Sequence, residues 1–97
     1  MRETTLSNLM LMHYRFRDTF RRDIFWLTAR YKNATGALGD AARRLMQAET
    51  LEQCTREDLE TVIAKVFETP HGFYISSARA QGAALRIQAL MTKTGVA

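Results

Sequence analysis

The stretch Leu9–Lys32, LMLMHYRFRDTFRRDIFWLTARYK, constrains the fold of this chain most, because its apolar residues recur at the period of an α-helix. At ~100° per residue, Leu9, His13, Phe16, Phe20, Ile24, Leu27 and Tyr31 fall within about 40° of one line. Ser7 is a good N-cap, so the spacing predicts a helix from about Ser7 to about Tyr31 whose stripe must be buried against other elements. The stripe does not use up the apolar residues. Leu11, Arg15, Asp18, Arg22, Phe25 and Trp26 fall on the opposite side, flanked by Tyr14 and Lys32.

The rest of the chain continues the helical pattern. Asn33–Gly39, NATGALG, reads as a loop, followed by a short helix capped by Asp40, running over Ala41–Glu49 and turning Leu45 and Met46 inward. Thr50 is placed to cap a further turn through Cys54. Thr55 opens a third helix, with Asp58 three residues on in the manner of a capping box with a shorter acid. Leu59, Val62, Ile63, Val66 and Phe67 form its inward face, and the acids of this segment read as outward solubility charge. The single proline ends that helix in the turn Thr69-Pro70-His71-Gly72.

A last helix runs from about Phe73 or Ser77 to Lys93 and stops at Gly95. Phe73, Ala80, Ala83, Ala84, Ile87, Leu90 and Met91 make its inner side. Its small residues Ala78, Ala80, Gly82, Ala83, Ala84 and Ala89 permit close helix packing. The expected fold is all-α: one helical domain over residues 1–97, with long N- and C-terminal helices around one or two shorter ones.

Composition narrows the function classes. At 97 residues, 46% of them hydrophobic, the chain suits one small globular domain and not a disordered segment. The net charge of +4 is unevenly spread. Residues 1–32 carry seven Arg/Lys against three acids, residues 33–69 four against seven, and residues 70–97 three and no acid. Such basic ends favour an anionic surface, or serve as ordinary solvated faces. Cys54 is the single cysteine, which fits a reducing compartment. The opening apolar run is only Leu9–Met12, too short for a signal peptide, and no stretch nears the ~20 apolar residues of a membrane span. A soluble intracellular protein is expected.

Catalytic chemistry has little support. Nothing in the spacing brings Cys54 to His13 or His71 as a thiol–imidazole pair. Two histidines and a cysteine far apart do not make a metal site, and Gly36 and Gly39 lack the Gly-Lys-Ser/Thr of a phosphate loop. Cys54 reads as a small residue near a helix cap, and no cofactor is expected.

The sharper signal is the far side of the first helix. Leu11, Tyr14, Arg15, Arg22, Phe25 and Trp26 combine the residue types that dominate protein interfaces, and they are the candidate partner-binding residues. If that helix is instead central, Phe25 and Trp26 are core and the arginines snorkel past them. Two other occupants compete: a second copy of the chain, making a homodimer, and nucleic acid, with Arg15, Arg17, Arg21, Arg22 and Arg30 on phosphates. Against nucleic acid, Asp18 and Asp23 interrupt the run and the arginines point in several directions. A helix lying on a membrane is disfavoured by the same acids.

With its all-helical patterning, the opening MRETTLSNLMLMHYRFRDTF and the single proline in FETPHGF, the chain resembles, over its whole length, the small anti-RecBCD accessory proteins of lambdoid phages, specifically the second anti-RecBCD type of Salmonella phages. The resemblance carries no diagnostic catalytic motif. It implies a non-enzymatic phage protein in the host cytoplasm that binds the host RecBCD helicase–nuclease through its RecC subunit. Such a protein alters the response of the enzyme to Chi sites in favour of phage recombination. The resemblance also implies a host prolyl isomerase as a second partner, which maps onto Thr69, Pro70, His71 and Gly72.

Overall fold

Four helices supply the largest buried aliphatic side chains in nearly equal shares: Leu27 from the first, Leu45 from the second, Leu59 and Val62 from the third, and Ile87 from the fourth. The computed structural model describes residues 18–68 and 75–94. Within them α1 covers residues 18–28 and tightens into a 3-10 turn at Ala29–Tyr31. Helix α2 is Gly36–Gln47, α3 is Arg56–Glu68 and α4 is Ile75–Thr94, with a second 3-10 turn at Leu51–Gln53. No strand occurs among the described residues, and the fold is all-α. Each large aliphatic side chain buried where the helices meet stabilises the fold by roughly 1.5–3 kcal/mol.

The predicted stripe of α1 is buried at Phe20, Ile24, Leu27 and Tyr31. Its earlier members Leu9, His13 and Phe16, and the Ser7 cap, lie outside the described residues, as do the Thr69–Gly72 turn, Phe73 and Gly95. On α4, Ala80, Ala83, Ala84, Ile87 and Met91 are buried, with Leu90 half-buried. Three alanines on one face bring the α4 backbone close to the large side chains of its neighbours.

Several local expectations are corrected. The Asn33–Gly39 segment is not all loop, because α2 begins at Gly36, ahead of Asp40. Gly36 sits at φ +75, the left-handed region that glycine enters without strain. Gly39 is inside the helix and buried. A Cβ built there would overlap the backbone carbonyl of Ala34 and reach within 3.0 Å of the Arg43 guanidinium. Gly39 therefore allows close approach of the α1–α2 connection to the start of α2. Arg43 closes that connection, donating to the carbonyls of Lys32 at 3.0 Å and Ala34 at 3.2 Å, with Asp40 at 2.7 Å. Asp40 thus pairs with Arg43 and does not cap.

Thr50 precedes the predicted short turn but makes no side-chain cap bond. Thr55 does cap α3, accepting from the Asp58 backbone N–H at 3.2 Å. The Asp58 carboxylate is not outward solubility charge. It is buried and takes two bonds from Arg44 of α2, Nε to Oδ2 at 2.9 Å and Nη2 to Oδ1 at 2.7 Å. Phe67 is also corrected: it is 41% exposed, while Leu59, Val62, Ile63 and Val66 are buried as expected.

Two consequences are measurable. Gly39→Ala must push the Ala34 carbonyl aside and is expected to cost about 1–3 kcal/mol in urea unfolding; an unchanged midpoint contradicts that packing. The hydrogen bonds from Arg44, with its charge, hold Asp58 below the usual carboxylate range despite burial. A carboxylate depressed in the folded state stabilises fully above its unfolded pKa and loses that contribution as pH falls through the folded value. Wild type should therefore lose more stability than Asp58→Asn below about pH 5.

Candidate protein-docking face

The exposed side of α1 is built by what happens on its neighbouring side. Asp23 projects toward α4, is only 3% exposed, and accepts from Arg86 through both oxygens, Nε to Oδ2 at 3.0 Å and Nη2 to Oδ1 at 2.8 Å. A bidentate guanidinium–carboxylate pair fixes orientation as well as distance. Three residues on, Trp26 lies under Arg79 of α4, whose Cζ is 4.7 Å from the ring centroid. Since 23 meets 86 and 26 meets 79, the helices run antiparallel. Arg79 and Arg86, seven residues apart, share one edge of α4.

This clamp leaves the remaining α1 residues facing outward. Phe25 is 54% exposed and meets Trp26 edge-on, ring centroids 5.4 Å apart at 77°. Trp26 is half-buried and Arg22 exposed. Phe25, so open to solvent, is not core, whereas Trp26 is half-buried against α4. A cleft of about 300 Å³ bordered by Trp26, Ala29, Arg30, Tyr31 and Ala80 opens beside the tryptophan. An aromatic pair with a cation stacked on one ring, beside a side-chain-sized cleft, presents large contact area and directional donors together.

Of the six candidate interface residues, the structure brings Arg22, Phe25 and Trp26 to this face. Leu11, Tyr14 and Arg15 lie outside the described residues. Asp23, which in the sequence interrupts a basic run, is buried and paired with Arg86. Arg21 leaves the basic run as well, because it donates to the Ala48 carbonyl at the end of α2 at 2.9 Å, where a cation suits the helix dipole. Sequence reasoning missed Arg79. The signal was the regular spacing of Arg79, Arg86 and Lys93 in a helix without acids.

Of the other chemical candidates, His13 and His71 lie outside the described residues. Cys54 is buried next to the second 3-10 turn, its Sγ 3.7 Å from the Thr50 carbonyl oxygen, and burial pushes its thiol up to about 11. At neutral pH a thiol so placed is not a thiolate nucleophile. Among the described residues no group of three or more His, Cys, Asp or Glu is arranged to hold a metal, and no helix is long and apolar enough to cross a membrane.

The Asp23–Arg86 pair is asymmetric, with side chains 4% and 57% exposed. Removing Arg86 strands a buried carboxylate, whereas removing Asp23 frees an arginine that reaches water. Arg86→Ala should cost about 2–4 kcal/mol by urea unfolding, and Asp23→Ala clearly less; the reverse order contradicts the described burial.

In comparisons with known proteins, no family model matches this chain, and no curated protein or solved structure matches it.

Proposed function

We propose that this protein is a non-catalytic modulator that docks on a host DNA-processing enzyme through the Arg22–Phe25–Trp26 face of α1. The observation that carries this reading is the exposed Phe25, edge-on to a half-buried Trp26 on which Arg79 stacks. A small fold does not leave such surface in water without cost, and a protein partner is the occupant that uses apolar area and arginine donors at once. The resemblance to the phage anti-RecBCD accessory proteins supplies the identity of the partner: host RecBCD, contacted through RecC in the host cytoplasm, with its response to Chi altered in favour of phage recombination.

Nucleic acid fits this face less well. Phosphates satisfy arginines but leave Phe25 unpaired, and Asp18 is exposed on the same side of α1. Direct stacking of bases on the aromatics would demand measurable DNA binding without any partner. The resemblance also places a host prolyl isomerase on the Thr69-Pro70-His71-Gly72 segment, immediately after α3 ends at Glu68.

Changing Arg22 and Trp26 together to Ala should weaken capture of purified RecBCD at least tenfold while the helical circular dichroism persists. Undiminished capture removes α1 from the interface, and a DNA mobility shift at low salt without partner transfers the face to nucleic acid. Pro70→Ala should abolish co-purification of the isomerase; continued co-purification removes this segment as its docking site.

A further inference from the structure

Helix α4 has an outer face turned away from the core, with the Arg86 guanidinium lying along its edge beside Gly82. Ala78, Leu85 and Ala89 are exposed and Gly82 half-exposed, with Leu85 open to 58%. Their spacing of four, three and four residues is that of a heptad seam, the pattern along which a second helix lies. The small residues on either side of Leu85 let that helix approach closely, and Leu85 is the single large knob between them.

The edge of this seam is cationic at the same period. Arg79, Arg86 and Lys93 recur every seven residues and span about 21 Å along the axis at 1.5 Å per residue. No acid lies anywhere from Thr69 to Ala97. A cleft of about 290 Å³ opens along this edge between α1 and α4, bordered by Phe20, Ala89, Leu90 and Lys93, and its size suits one apolar side chain of an occupant.

We infer that the outer face of α4 seats an acidic amphipathic helix of the partner protein, which lays an apolar stripe along Ala78, Gly82, Leu85 and Ala89 and sets its carboxylates against Arg79 and Lys93. This extends the docking face of α1 and rests on the reading that a protein partner binds there. Charge decides among the occupants. A second α4 offers only like charge along the seam and repels. A nucleic-acid backbone matches the cations but leaves Leu85 facing phosphates. An acidic helix satisfies both the knob and the row. Carboxylates at this edge gain in rate of encounter as well as in register, because the cationic row steers them.

The test uses the full chain with purified RecBCD and, separately, a 30-base-pair DNA duplex. Leu85→Asp and Lys93→Glu alter exposed side chains outside the Phe25–Trp26–Arg79 stack, so both variants should keep the wild-type circular dichroism. Each is expected to bind RecBCD at least tenfold more weakly, and wild-type binding should weaken as salt rises. Wild-type affinity in the Leu85 variant, or in the charge-reversed one, overturns the acidic-helix inference while leaving the α1 reading intact. Binding of the duplex that is lost on charge reversal but kept in Leu85→Asp also overturns it, in favour of nucleic acid. Absence of any RecBCD complex with the wild-type chain overturns the α1 reading and this inference with it.

Discussion

The buried pair between Asp23 and Arg86 is the contact on which the orientation of α1 against α4 depends. It joins residues 63 positions apart and ties α1 to α4 through a charged pair. A carboxylate that is 3% exposed cannot turn away from its guanidinium without losing both bonds in a poorly hydrated setting. The rotation of α1 is therefore set from its side. With Asp23 held toward α4, Trp26 falls under Arg79, the stripe Phe20–Ile24–Leu27–Tyr31 enters the core, and Arg22 and Phe25 are left in water. The same bond that stabilises the bundle decides which aromatic side chains face solvent.

A parallel logic governs the other arginines. Arg44 holds the buried Asp58 and ties α2 to α3. Arg43 gathers the carbonyls that join α1 to α2, and Arg21 satisfies the end of α2. Guanidinium groups with several donors in a fixed fork suit such tasks better than lysine. The basic character of the chain is thus partly internal structure. Among the described residues, Arg22, Arg79 and Lys93 are exposed along α1 and α4, while the α2–α3 side carries most of the acids. The surface is polarised in a way the net charge of +4 does not convey.

The helical periodicities of Phe20–Tyr31, Leu59–Val66 and Ala80–Met91 were legible because each amphipathic face follows from local spacing alone. The Thr55 cap was legible for the same reason, since donor and acceptor lie within four residues. The errors fall where a distant residue decides. Asp23 and Asp58 read as surface acids, and only partners 63 and 14 residues away turn them inward. Gly36 and Gly39 read as loop residues, although Gly36 supplies a left-handed backbone turn at the start of α2 and Gly39 lets the Ala34 carbonyl sit against that helix. Phe67 continues the apolar pattern of α3 but lies at its margin, beyond the reach of the core. Within the docking face, the outward placement of Arg22 and Phe25 came from the helical wheel. The contribution of Arg79 required knowing that α4 runs antiparallel beside α1.

The claim that the Asp23 clamp orients the docking face is tested most directly through Trp26, the single tryptophan of the chain. Its fluorescence reports this one position, and acrylamide quenching measures how far the ring is open to solvent. In Asp23→Ala, with the helical circular dichroism retained, the account predicts stronger quenching than in wild type, because α1 is released and the ring leaves its place under Arg79. Equal quenching in the two proteins would contradict it, showing that core packing alone sets the rotation of α1.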